Sequence, residues 1–468
     1  MDTRPAAPAG NPLGTAPVKS LIWKFAIPGI ISQLVNSLHN IVDQVFIGWG
    51  INDLGIAATN IVFPFTSIIT ALSVLIGMGA VAQFNILLGR KKEEEAADFL
   101  GNALTLMILF GVVITVLSLI FLRPILYLFG ATDPIMEYAY PYARIIVLGL
   151  PFGIFATGMT YFVRGDGNPN FSTLILLSGA VFNMVFDPVF LFGLDLGIQG
   201  IALATVLGQM LSASLALYYL LKRFRSVSLE RHSLKLKAAV VRTTFSLGFA
   251  TFTTHILMIV AQIILMNSLR YYGALSPYGS ETALAVSGAA GKLTIVLLSS
   301  IIGIALGCQP ILGFNLGCRQ YDRVKQTYLL ALRYGTTIAV IAFALLQLFP
   351  GSLLRIFGSD DPGFYEFGIH YIRIYMMALF LNALQPTTST FCTAIGKAKL
   401  AFWMAVIRQG VLMIPLLLIL PRFLGIDGIL YSGCVSDALA AVVVIIIGRR
   451  EVRALDSLRA EQASGGAA

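Results

Sequence analysis

Asp43 lies inside an apolar stretch from Leu21 to Gly48, and about 20 such residues suffice to cross a bilayer. The same stretch carries Gln33, Asn36 and Asn40. The intervals of three, four and three put all four polar residues on one helical stripe. Asn183 and Asp187 repeat the theme four residues apart in another apolar run, just before Pro188, and Thr205 in the next run offers a hydroxyl. An ionised carboxylate at bilayer depth costs roughly 2.5–3.5 kcal/mol and normally faces a cavity or an ion path. Two carboxylates brought close cannot both stay ionised without a cation between them. Hard monovalent cations take oxygen ligands, and Asp43, Asn183, Asp187 and Thr205 supply them, so these four are the candidate H⁺ or Na⁺ coupling site. Gln33, Asn36 and Asn40 form a supporting polar stripe, of which Gln33 fits ordinary interhelical hydrogen bonding best. Pro28, some four turns before Asp43, removes a backbone hydrogen bond and permits either a static kink or a hinge. Further along, Gln262, Lys292, Gln309 and Arg408 are candidates for lining a cavity in the second half, where Asp437 is the notable acid.

The elements that must position these groups are membrane helices. Of 468 residues, 57% are hydrophobic and only 12% charged, against about 25% charged in ordinary soluble domains. The mean hydropathy is +0.83. This is the composition of an all-α polytopic membrane protein. The net charge of +9 is spread over short loops rather than gathered on one domain, which argues against a nucleic-acid partner. No P-loop, dinucleotide fingerprint or zinc spacing occurs. Cys308, Cys318, Cys392 and Cys434 fall in or beside apolar runs without metal-ligand spacing, so no structural metal is expected.

Apolar runs predict twelve spans, at about 21–48, 54–88, 97–122, 136–163, 171–193, 197–221, 241–270, 281–315, 324–350, 365–395, 399–420 and 426–447. Basic residues crowd the tails and the loops after even-numbered spans. The opposite loops and their margins hold only Arg123, Arg270, Arg355 and Arg422, which puts both termini in the cytoplasm of a plasma-membrane protein. The chain also repeats. Phe129-Gly130…Asp133-Pro134 matches Phe357-Gly358…Asp361-Pro362, and Gly197-Ile198-Gln199-Gly200-Ile201 matches Gly425-Ile426-Asp427-Gly428-Ile429, both at an offset of 228. Gly167 matches Gly396 at 229, and Gly77…Gln83 matches Gly303…Gln309 at 226. The expected organisation is a disordered cytoplasmic tail (1–20), an N-lobe of six helices (21–221), a basic linker (222–240), a pseudo-symmetric C-lobe (241–447) and a C-terminal cytoplasmic tail (448–468).

Four stretches carry a resemblance over nearly the whole chain. They are Ile27-Pro28…Asp43; Arg164-Gly165-Asp166-Gly167-Asn168-Pro169; Asn183…Asp187-Pro188; and Gly307-Cys308-Gln309-Pro310…Gly313-Phe314-Asn315-Leu316-Gly317. With these the chain resembles the multidrug and toxic compound extrusion (MATE) family. That resemblance implies two six-helix lobes around a V-shaped central cavity, and export of drugs and dyes, often cationic, against inward H⁺ or Na⁺. The acids of the first half resemble the DinF-like branch, whose ion site carries over to Asp43, Asn183 and Asp187, and more loosely to Thr205; its first-helix proline, linked to bending upon protonation, matches Pro28. The acids that the NorM-like branch carries in its seventh and tenth helices are absent here. No cofactor beyond the coupling ion, and a monomer in the bilayer, are expected. Two rivals remain open: a flippase for a lipid-linked oligosaccharide in the same superfamily, which calls for several cavity cations, and an intramembrane aspartyl hydrolase using Asp43 and Asp187.

Overall fold

The computed structural model describes residues 11–51, 53–355 and 362–465; within helices, the side chains of residues 36, 40, 41, 43–45, 48–50, 53, 54, 56, 297 and 463–465 lie outside the description. Among the described residues every regular element is helical. Among the described residues, eleven helices are long and apolar enough to span a bilayer, and a twelfth results when two pieces bent by 45° are taken as one. In chain order the long helices are α1 (Val18–Gly50) and α2 (Asp53–Ser73, continued by a π-helical turn Val74–Met78 into Gly79–Gly89). There follow α3 (Glu93–Ile120), α4 (Asp133–Gly165), α5 (Pro169–Pro188, ending in a π-helical turn Val189–Gly193) and α6 (Gly197–Lys222). The second half begins with α7 (Ala238–Ala274), α8 (Ser280–Gly317) and α9 (Tyr321–Leu348). The broken α10 (Pro362–Tyr375 and Leu379–Ala394), α11 (Ala398–Leu424) and α12 (Ile426–Gly465) complete it.

The helices follow the predicted spans closely, with two differences. The tenth span is broken around Met376–Ala378 although no proline or glycine lies there. Gln347 of α9 donates to the carbonyls of Ile372 and Arg373 at the edge of the break, at 3.4 and 3.2 Å. The twelfth helix runs on to Gly465. Ion pairs from Lys397 to Glu451, Lys325 to Asp456 and Arg459 to Asp322 hold that extension against the rest of its half.

The repeat is written in the backbone as well. Left-handed φ values recur at matched positions: Lys91 (59°) with Arg319 (56°), Gly167 (88°) with Gly396 (80°), and Gly197 (56°) with Gly425 (60°). Glycine carries this conformation at little cost. The same turns therefore close the same helices in each half.

Packing divides the chain into two compact units, residues 31–248 and residues 249–468 together with those up to Ile30. In the first unit α4 is the central helix, with Ile146, Val147, Leu150, Ile154 and Phe162 fully buried. The second unit includes the start of α1. A Cβ at Gly29 would fall 2.7 Å from the Gly303 carbonyl oxygen, and one at Gly307 would fall 2.8 Å from the Phe25 carbonyl carbon, so bare glycines let α1 and α8 cross closely.

Two of the sequence motifs turn out to fasten segments. Asn315 Nδ2 donates to Leu13 O at 3.0 Å, and Arg323 donates to Leu13 O and Ala16 O at 3.1 and 2.7 Å. Residues 11–20 are consequently ordered, with a short helix Pro12–Thr15, where the sequence suggested a disordered tail. In the first unit the Asp166 carboxylate accepts from Tyr219 Oη (2.7 Å), Ser226 N (2.8 Å) and Ser226 Oγ (2.5 Å). Asn102 bonds Ser233 O, Lys235 O and Lys237 N. The stretch 222–240 is thus tied down at both ends. Asp166→Ala leaves the Tyr219 hydroxyl and the Ser226 amide and hydroxyl without their acceptor, at about 1–3 kcal/mol. A lowered thermal midpoint of the purified protein, with transport per folded molecule retained, is the expected result; an unchanged midpoint would show that Asp166 bears none of this load.

Candidate functional site

The site is built where α5 and α6 cross in the first unit. A Cβ on Gly208 would lie 2.7 Å from Gly179 O, and one on Gly179 would lie 2.4 Å from Ser212 Oγ. The two backbones meet there without side chains between them, and Ser212 Oγ donates to Ile175 O at 2.7 Å to lock the crossing. About one helical turn away from the glycines stand Asn183 on α5 and Thr205 on α6, and the close approach brings them into bonding range.

Asn183 Nδ2 donates to Asp187 Oδ1 and to Thr205 Oγ1, both at 3.0 Å. Thr205 Oγ1 spends its own proton on Ile201 O at 3.0 Å, so it meets Asn183 as an acceptor. Asn183 and Asp187 are 1% and 0% exposed. The amide oxygen of Asn183 is buried and accepts no hydrogen bond, which leaves an acceptor ready for a cation or a proton-bearing group. Pro188 follows Asp187 directly and lacks the amide that would bond back one turn. The helix then widens into the π-helical turn Val189–Gly193, a feature that recurs at functional sites.

Asn183 and Thr205 form part of the wall of a cavity of about 390 Å³ within the first unit. Its other polar lining residues include His39, Thr59, Thr66, Ser67, Thr70, Tyr142, Thr157, Gln209 and Ser212. Gln209 Oε1 is buried without a hydrogen-bond partner, and Gly149 and Gly153 make room for its side chain. Such a wall, rich in hydroxyls and amides and free of fixed cations, suits a hydrated cation or a polar organic molecule.

Of the sequence candidates, the structure brings Asn183, Asp187 and Thr205 together. Asn36, Asn40 and Asp43 lie on α1, but their side chains are outside the described residues. Gln33 is half-buried and its carbonyl accepts from Ser37 Oγ at 2.9 Å. Pro28 sits buried inside α1, which continues through it as one helix. Gln262 and Lys292 are exposed, Gln309 is buried, and Arg408 pairs with Asp437, with no hydrogen bond joining any two of those four candidates. His39 and Gln209 were missed. Each stands four residues from a residue already singled out, Asp43 and Thr205, so reading one helical turn to either side of those two would have found both.

A duplicated set of six apolar helices per half, with a buried acid–amide–hydroxyl cluster beside a polar cavity, defines a polytopic membrane protein built for intramembrane polar chemistry. The chain belongs to the MatE family, whose model matches residues 28–189 and 252–419. It is 24% identical to multidrug export protein MepA of Staphylococcus saprophyticus, over 92% of this chain and 94% of that protein. With the MepA protein of Staphylococcus haemolyticus it shares 25% identity, over 90% of this chain and 91% of that one. Among solved structures it is similar to an outward-facing multidrug resistance MATE family transporter of the MOP superfamily, with a TM-score of 0.89 at 24% identity and coverage of 97% and 100%. A MOP superfamily transporter from Pyrococcus furiosus, described as having a binding pocket of reverse polarity, matches with a TM-score of 0.88 at 23% identity, covering 96% and 99%.

Proposed function

We propose that this chain is a secondary active multidrug exporter that exchanges H⁺ or Na⁺ for organic, often cationic, compounds by alternating access, and that it is a transporter rather than an enzyme. The observation that carries the reading is the buried Asn183–Asp187–Thr205 cluster, with its open amide oxygen, at the wall of the first-unit cavity. Family membership and the similarity to MepA multidrug export proteins support it.

A cation arriving from outside neutralises Asp187, and with it Asp43 on α1. The charge that favoured an organic cation in the cavity is then cancelled, α1 bends near Pro28, and the substrate leaves outward. One charge falling through about 100 mV supplies ~2.3 kcal/mol, enough to sustain roughly a fifty-fold gradient of a neutral drug. The asymmetry of basic residues supports a plasma-membrane protein with both termini in the cytoplasm. The three polar groups come from one chain, so a monomer suffices.

Proteoliposomes preloaded with ethidium, given a pH gradient or a Na⁺ gradient separately, test this. Export under one gradient and not the other names the ion. No export under either would overturn the antiport reading and leave the lipid-linked oligosaccharide flippase as the one to pursue.

A further inference from the structure

Arg408 and Asp437 place opposite charges inside the second unit. Arg408 sits in the π-helical stretch Val406–Met413 of α11, and Asp437 on the neighbouring α12. Arg408 Nε donates to Asp437 Oδ1 at 2.9 Å, and a terminal guanidinium nitrogen lies 2.8 Å from the same oxygen. The other terminal nitrogen donates to Gln385 Oε1 at 3.1 Å, on the second piece of the broken α10. Ser436 Oγ closes the group by donating to Arg408 O at 3.1 Å. The side chains are 23% and 14% exposed, so the pair is held rigidly without being sealed in a packed core. Charges within membrane spans face a bundle interior or a water-filled space rather than lipid.

Two opposite charges this close look neutral from any distance larger than their own separation. We infer that the Arg408–Asp437 pair sets the substrate-charge preference of the transporter: Asp437 cancels the positive charge of Arg408 and so keeps the interior of the second unit open to organic cations. The inference rests on the efflux reading. A single unit charge about 10 Å from a bound monocation, at an effective dielectric of about 20, changes its affinity by about tenfold. Removing one partner exposes that charge, and removing both restores neutrality.

The experiment measures dissociation constants of the full-length purified protein for tetraphenylphosphonium, a permanent cation, and fluorescein, an anion. Asp437→Asn should weaken tetraphenylphosphonium binding by about tenfold and tighten fluorescein. Arg408→Gln should shift both in the opposite directions, and the double variant should return to wild-type values. Arg408→Lys, which keeps the pair, should bind as wild type. Single variants that weaken both probes alike, or alter neither, would overturn the inference. A lone buried charge destabilises a fold, so Arg408→His provides a gentler probe. Its imidazolium pairs with Asp437 at low pH and its neutral form does not, so tetraphenylphosphonium binding should tighten as pH rises; a pH response no different from wild type overturns the idea. Wild-type protein that binds neither probe would overturn the efflux reading itself, whereas binding indifferent to these variants removes only the charge preference.

Discussion

Asp187→Asn is expected to abolish cation-driven export while leaving the protein folded. The substitution preserves shape. The new amide oxygen can still accept from Asn183 Nδ2, where the carboxylate accepts at 3.0 Å. The side chain is wholly buried, so losing the charge also removes a desolvation cost, and the thermal midpoint should hold or rise. On the proposed coupling role of Asp187, what disappears is the exchangeable charge through which the cavity responds to an ion. Coupling free energies between sites run to about 3 kcal/mol, or roughly a hundred-fold, and driven ethidium export should fall by that order. Thr205→Ala removes a neutral hydroxyl that accepts from Asn183 and donates to Ile201 O, and should cost less, within about tenfold, as befits uncharged hydrogen bonds. Export by a well-expressed Asp187→Asn variant at the wild-type rate would remove Asp187 from the coupling site.

The second large effect comes from a residue with no polar atom in its side chain. Gly208→Val inserts a branched group where even a Cβ would lie 2.7 Å from Gly179 O. Neither backbone can yield locally, so α5 and α6 must part. Overpacking of this kind costs about 1–3 kcal/mol, and the 3.0 Å bond between Asn183 and Thr205 is broken along with it. Export should drop by at least about tenfold, since a misplacement of about 1 Å at a working site is enough for that, and the thermal midpoint should fall. Gly288→Ala and Gly291→Ala supply the contrast, because nothing lies within 4 Å of a Cβ at either position. Alanine there should be neutral or stabilising, by up to about 1 kcal/mol, through helix propensity alone. Wild-type export by Gly208→Val would show that the crossing does not position the site.

The cluster on α5 and α6 was legible because its parts obey helical spacing and because a carboxylate in an apolar run demands a reason. Asn183 and Asp187 share a face by sequence distance alone. That Thr205 meets them depends on Gly179 and Gly208, whose importance lies in atoms they lack, and a single sequence gives such a crossing little signature. The break in α10 was illegible for a related reason. Its residues, Ile-Tyr-Met-Met-Ala-Leu, are sound helix formers, and the unwound turn is stabilised from outside by Gln347. The C-terminal reach of α12 reads as a tail because its charges suit solvent, yet Glu451, Asp456 and Arg459 each find a partner on another helix or loop. The motifs around Asp166 and Asn315 are among the stretches that carry the family resemblance, and the structure gives them fastening roles distinct from the candidate ion site.

The matched left-handed turns let the two halves be compared position by position. At the offset of 228 that pairs Lys91 with Arg319 and Gly197 with Gly425, Asp187 corresponds to Pro415, Asn183 to Val411 and Thr205 to Gly433. The half that keeps the same turns of chain direction therefore carries no acid, amide or hydroxyl at these three positions, and bears its Arg408–Asp437 pair elsewhere. One backbone plan thus supports two chemically unlike interiors, and grafting Asn, Asp and Thr onto 411, 415 and 433 would ask whether the second half can host the same cluster.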